Sequence, residues 1–187
     1  GIPETQLQVA RMPLVTLRNL QLSFGDPALL DGVDLTIDAE EADRLDLSLD
    51  IFERLAADES LGGWPGLGIV VQAYGKRARL VIDWLAGLAH RTGRKIPVRL
   101  VKGAYWDAEI KHAQVSGFPG FPVFTRKAST DLSYLSCARK LLDYRDELRP
   151  QFATHNAHTI AAVMAIAGER QDFEFQRLHG MGEALYK

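Results

Sequence analysis

The sequence predicts an α/β fold built on a parallel sheet, with a barrel arrangement favoured over an open, doubly wound one. From about Val33 onward, short apolar stretches alternate with amphipathic ones, the pattern of repeated βα units. Polar side chains follow nearly every predicted strand, at Asp38, Gln72, Lys102, Arg126, His155 and His179. An open sheet gathers its binding groups at one switch point, whereas a barrel draws them from nearly all strand ends. The chain has 187 residues, 47% of them hydrophobic, enough for one domain with a real core but short of the roughly 250 of a complete (β/α)8 barrel. The expected architecture is therefore a partial barrel of about six parallel strands with alternating helices, preceded by an antiparallel hairpin.

The opening segment "LVTLRNLQLSFGDPALLDGVDLTI" alternates apolar and polar positions around "GDP" and "DG" turns and carries no helix between its strands, which reads as a hairpin or meander. The composition shifts near Thr36 to Ala39, a candidate junction. The predicted parallel strands are "VDLTID", "GLGIVVQAY", "IPVRLVK", "FPVFTRK", "PQFATH" and "FEFQRLH". Between them Leu45, Leu49, Phe52 and Leu55 share one helical face, and Leu80, Val81, Trp84, Leu85 and Leu88 share another. "RLVKGAYWDAEIKHAQ" starts as a strand and ends as a charged helix. In "TDLSYLSCARKLLDY", Leu135, Ala138 and Leu142 are in register and Asp131 is placed to start the helix. "NAHTIAAVMAIAG" is apolar enough to pack on a sheet, with Gly168 placed to end it.

Several function classes are disfavoured. The net charge of -2 leaves no footprint for nonspecific nucleic-acid binding, which needs a basic face. No apolar run approaches the roughly 20 residues of a membrane span, and the start lacks the cationic and apolar parts of a signal peptide. Cys137 is the single cysteine, so no intrachain disulfide is available, and its helical spacing reads as a small core residue. These features suggest a cytoplasmic setting. Neither a P-loop nor a G-x-G-x-x-G after a strand is present.

The strand ends carry the chemistry. Arg99 lies inside the apolar run "IPVRLV", where a cation is costly unless paired. It either pairs with a carboxylate such as Asp38 or Glu183, or points into a barrel mouth at an anionic ligand. Lys102, Arg126 and Lys127 add cations at the same rim, suiting a phosphate- or carboxylate-bearing ligand. Tyr74, Tyr105 and Trp106 offer flat walls for a ring system, or packing between helix and barrel. His155, His158 and His179, with Asp38, Glu40 and Glu41 across the barrel, raise a metal-dependent hydrolase as an alternative. A cation-rich rim repels a divalent metal, so no metal ligands are assigned.

Six collinear motifs, "IDAEEADRLDLSLDIFERL", "GIVVQAYGKRA", "RLVKGAYWDAEIKHAQ", "PVFTRKASTDLSYLSCARKLL", "PQFATHNAHT" and "FEFQRLHGMGEALY", resemble the proline dehydrogenase domain of the bacterial bifunctional proline utilisation flavoenzyme, from about residue 38 to 186. The resemblance implies a distorted (β/α)8 barrel holding FAD at the strand ends, oxidising L-proline to 1-pyrroline-5-carboxylate and passing electrons to a membrane quinone. It implies a cytoplasmic protein, peripheral at the inner membrane face. Arg99 is then expected beside flavin N5, with Lys102, Gly103, Ala104, Tyr105 and Trp106 along the cofactor and Gln72 on the isoalloxazine. Thr125, Arg126, Lys127, Thr154, His155 and Asn156 are expected to hold its ribityl, pyrophosphate and adenosine parts, and Gln176 and Leu178 to line cofactor and active site. Arg99, Asp38 and Tyr105 are the expected catalytic residues, Asp38 through a substrate-side ion-pair network.

Against the family pattern, an upstream strand with a substrate-side lysine and a downstream helix with paired arginines are expected to be missing. Residues 12–37 resemble the opening strands of an ABC-type ATPase, with no P-loop following. The chain thus divides into residues 1–37, a tail and hairpin, and 38–187, an incomplete barrel whose activity the truncation puts at issue. The alternative reading is a noncatalytic module without cofactor that self-associates through exposed barrel edges.

Overall fold

The computed structural model describes residues 15–18 and 34–185. Its sheet has six strands in the order β1-β2-β3-β4-β5-β6: β1 (Val15–Arg18), β2 (Asp34–Ile37), β3 (Leu67–Gln72), β4 (Ile96–Val101), β5 (Leu148–Ala153) and β6 (Glu174–Gln176). β1 runs antiparallel to β2, and every later neighbour pair is parallel. The helices are α1 (Leu45–Ala56), α2 (Ala78–Thr92), α3 (Trp106–Val115), α4 (Lys127–Asp143) and α5 (Ala157–Ala167). Sequence order without reversal means that every crossover steps the same way round the sheet. Right-handed crossovers then place the helices on one face and leave the other free to line a barrel interior. A doubly wound sheet would reverse its order at a switch point, and this one does not.

Among the described residues five parallel strands are present, not the six predicted. "FPVFTRK" forms no sheet strand. It runs as a loop beside residues 74–76, through Lys76 N–H to the Pro122 carbonyl (3.0 Å), Phe124 N–H to the Tyr74 carbonyl (2.8 Å) and an isolated antiparallel bridge between Gly75 and Val123. Pro122 has no N–H for a ladder, and the segment lies across the end of the sheet instead of within it. The β4–β5 crossover consequently carries two helices, α3 and α4. Nor does Asp131 start α4: the helix begins at Lys127, after Arg126 in an extended conformation, and Asp131 lies in its second turn. The predicted hairpin over residues 1–37 is described only at β1 and β2; the remainder of that segment, including most of the ATPase-like stretch, lies outside the described residues.

The core lies between the sheet and its helices. Ile69, Val71, Val98, Leu100, Leu148 and Phe152 alternate along their strands and pack with Phe52 of α1, Ile82 and Leu85 of α2, and Tyr134, Leu141 and Leu142 of α4. Cys137 is fully buried among them. On α2, Leu80 departs from the predicted apolar face and is 68% exposed. The Phe152 ring sits 5.5 Å from Phe173 and 5.9 Å from Phe175, joining β5 to the segment that forms β6. The Tyr134 hydroxyl donates to the carbonyls of Leu100 (3.4 Å) and Ala153 (3.3 Å), tying α4 to the ends of β4 and β5. Gly93 closes α2 in the left-handed region (φ 65°) and Gly168 follows α5. No helix among the described residues is long and apolar enough to cross a membrane.

α2 and α4 are joined by a polar clasp in which Lys140 and Tyr144 both donate to the Asp83 carboxylate, the hydroxyl at 2.9 Å. Partial burial pushes the Asp83 pKa up, but the bonds from Lys140 and Tyr144 outweigh it and hold the carboxyl below its ordinary value. A carboxyl depressed on folding stabilises above its unfolded pKa, and that contribution is lost as pH falls through the folded value. Asp83→Asn is therefore expected to lower the urea midpoint at neutral pH and to shrink the difference from wild type in the acid range; a pH-independent difference would show that the clasp contributes nothing through ionisation. Phe152→Ala is expected to reduce the unfolding free energy by about 3–5 kcal/mol, measured by equilibrium denaturation.

Candidate active site

Alternation places the functional residues of the strands. Val98 and Leu100 point into the helix layer and are fully buried, so Arg99 between them projects from the opposite, concave face. Register sets Val70, Arg99, Gln151 and Glu174 in one row across β3 to β6, and beyond it pairs Gln72 with Val101 and Ala153 with Gln176. On this face Arg99 Nε donates to Gln176 Oε1 (2.6 Å), and Gln176 Nε2 donates to Glu174 Oε1 (2.5 Å). The amide fixes the orientation of the guanidinium. Buried beside them, Gln151 has its Oε1 without a hydrogen-bond partner among the described residues.

A cavity of about 690 Å³ opens above these rows at the carboxyl ends of the strands, within the usual range for small-molecule sites. Of the predicted site residues, Asp38, Gln72, Arg99, Lys102, Gly103, Ala104, Thr154, His155, Asn156, Gln176 and Leu178 line it. The Gln72 amide links two of its walls, accepting from Ala104 N–H (2.9 Å) and donating to the Glu40 carbonyl (2.9 Å). Gly103 has φ +146°, and a Cβ there would fall 2.4 Å from ring carbons of Tyr74; only glycine lets the turn after β4 lie flat against that ring. His155 Nε2 accepts from Leu178 N–H (2.9 Å), which places the proton of the neutral imidazole on Nδ1. Asn156 caps α5 by accepting from Thr159 N–H (2.9 Å).

Tyr105, Trp106, Thr125, Arg126 and Lys127 are not brought to the cavity lining. Tyr105 and Trp106 lie at the start of α3, where Trp106 is 42% exposed and its Nε1–H donates to the Phe124 carbonyl (3.0 Å). Thr125 and Arg126 lead into α4. Lys127 is drawn toward the cavity edge through Asp131, whose two oxygens each sit 2.5 Å from an ammonium, one of Lys102 and one of Lys127. These bonds hold the Asp131 carboxyl below its ordinary value. Burial, followed by the charges of Glu40, Asp38 and Glu41, raises the Tyr105 phenol; burial, followed by Glu109, raises that of Tyr74. Among the described residues no three His, Cys, Asp or Glu side chains gather as a metal site; His155 is instead engaged by the Leu178 backbone.

Sequence reasoning overlooked Val70, Val101 and Ala153 as lining residues, although the period-two relation of Val70 to Gln72 and of Val101 to Arg99 was a usable signal. It also overlooked Arg177, beside Gln176, and the bridging role of Asp131, which only the meeting of β4 and α4 reveals.

The proline dehydrogenase family model matches residues 22–187, taking in residues 22–37 and every strand from β2 to β6. The bifunctional protein PutA of Salmonella typhimurium is 58% identical over 158 residues, 83% of this chain and 12% of that protein. PutA of Rhizobium meliloti is 58% identical over 159 residues, 83% of this chain and 13% of the relative. Among solved structures, a mutant of Bradyrhizobium japonicum proline utilization A superposes with a TM-score of 0.79 at 62% identity, covering 81% of this chain and 16% of the other. Proline utilization A from Bdellovibrio bacteriovorus, inactivated by N-propargylglycine, superposes with a TM-score of 0.76 at 38% identity, covering 80% and 16%. The chain thus spans about an eighth of the length of these curated relatives. With the family match running through the whole described parallel sheet, the chain belongs to the proline dehydrogenase family.

Proposed function

We propose that the concave-face cavity holds FAD and that this chain supplies the cofactor-binding side of a site oxidising L-proline to 1-pyrroline-5-carboxylate. The observation that carries the reading is the convergence of Arg99, Gln72, Lys102, Gly103, Ala104, His155 and Gln176 on one cavity, although they come from separate strands and loops. The donor set fits the cofactor. Arg99 and Lys102 supply fixed positive charge for an anionic, electron-accepting ring and its diphosphate. Val70, Val101, Ala153 and Leu178 supply apolar lining. Bound there, FAD would supply the acceptor for the hydride leaving the proline carbon next to nitrogen.

The chain's own residues would bind and orient. Gln176 holds the Arg99 guanidinium in place, so its charge favours negative charge developing nearby without reorganisation. Gln72 keeps the Asp38 and Ala104 walls at fixed separation. Asp131 steadies Lys102 at the rim, and Lys127 and Arg126 extend the positive edge toward α4. Thr125, Thr154 and Asn156 complete the proposed set for the ribityl, pyrophosphate and adenosine parts, with Tyr105 and Trp106 as outer aromatic walls. Asp38, at the cavity wall, is proposed on the substrate side. A membrane quinone is the proposed final electron acceptor.

FAD titration by calorimetry tests the reading. Arg99→Met is expected to weaken binding by about 10- to 100-fold, the scale of a lost hydrogen bond to a charged group, and to lower the potential of the bound flavin. Equal affinity and potential in wild type and variant would remove Arg99 from the site. No heat of binding in the wild type would favour a noncatalytic, self-associating module.

A further inference from the structure

Glu109 stands apart among the carboxylates of α3. It is only 3% exposed, although it lies on a helix of low overall hydrophobicity, and burying a carboxyl group is costly unless it is hydrogen-bonded. Its partner is remote in sequence: Oε1 accepts from the Ala42 N–H at 2.5 Å. Ala42 ends the segment that leaves β2 through Asp38 and Ala39, two residues that line the cavity. The same segment is held from β3 by Gln72 at the Glu40 carbonyl (2.9 Å), and by Arg77, whose Nη2 donates to the Ala42 carbonyl (2.9 Å). The Arg77 bond is exposed, and the Gln72 and Glu109 bonds are half-buried. Of the three side chains Glu109 is the buried one, and it reaches the segment from the helix that follows the Lys102–Tyr105 turn.

We propose that Glu109 is a positioning residue for this site: it fixes the Asp38–Ala42 wall against the turn after β4 by accepting the Ala42 N–H, and thereby sets the width of the cavity mouth. As a claim about ligand binding, this rests on the reading of the cavity as the FAD site. Two walls of the mouth are otherwise unconnected in sequence, and Glu109 and Gln72 are the side chains that bridge them. The position of the wall has a reporter of its own. Burial first, and then the charges of Glu40, Asp38 and Glu41 across the gap, raise the Tyr105 phenol, so retreat of the wall relaxes the Tyr105 titration.

The test compares Glu109→Gln, which keeps an oxygen to accept the Ala42 N–H, with Glu109→Leu, which does not, in the full chain. Three readouts are taken: amide exchange at Ala42, the Tyr105 titration by NMR with Tyr144 as a remote control, and FAD affinity. Glu109→Leu is expected to speed Ala42 exchange and to weaken FAD binding, each about tenfold. It should also shift Tyr105, and not Tyr144, toward an ordinary phenol. Glu109→Gln should stay near wild type on all three. The proposal is overturned if Glu109→Leu leaves Ala42 exchange and the Tyr105 titration unchanged, if Glu109→Gln behaves like Glu109→Leu, or if FAD affinity holds while exchange rises. A wild-type chain that takes up no FAD overturns the proposed function alone, and the Tyr105 titration then decides whether Glu109 positions the wall.

Discussion

A parallel sheet whose crossovers all step the same way has helices on one face only, and its other face must be made soluble or filled. In this chain β4 meets that demand with one cation. Val98 and Leu100 lock into the helix layer, so the pleat gives Arg99 no choice but the concave side. A guanidinium there is stable only with oriented acceptors, and Gln176, two strands away, provides one at 2.6 Å. That bond spans the face from β4 to β6. It fixes the relative placement of the strand ends from which the cavity is built.

Around this bond the loops are arranged by short, specific contacts. Gly103 allows the turn after β4 to lie against Tyr74, and that turn presents Ala104 N–H to Gln72. Gln72 in turn holds the Glu40 carbonyl, so the loops after β2 and β4 meet through one side chain at the end of β3. On the other side, His155 takes the Leu178 N–H and closes the loop after β6 onto the loop after β5. The strand ends thus form a connected rim rather than independent loops. Lys102, Asp131 and Lys127 extend that rim to α4.

Much of this was legible in the sequence. Arg99 stood out as a cation inside an apolar run, polar residues after nearly every strand marked the end at which the cavity opens, and Cys137 read correctly as core. The motifs identified the family, as the match over residues 22–187 shows. Two errors share a cause. "FPVFTRK" has strand composition, yet Pro122 and the space beyond the sheet end make it a cross-linking loop; Asp131 has helix-start chemistry, yet its partner Lys102 lies in the turn after a distant strand. Local propensity was outweighed in both cases by contacts formed only in three dimensions. Glu109 was invisible for the same reason: in "WDAEIKHAQ" it looks like a solvated helix charge, and its burial and its bond from Ala42 N–H appear only in the folded chain.

The proposed role of the concave face is that of a flavin site that reacts with proline. The most direct measurement is the absorbance spectrum of the chain after incubation with FAD and gel filtration, followed by anaerobic addition of L-proline. Flavin bands that co-elute with the protein and bleach on addition of proline are the predicted result. A protein that elutes without flavin bands contradicts the account at its root, and bands that persist in proline contradict the assignment of the substrate.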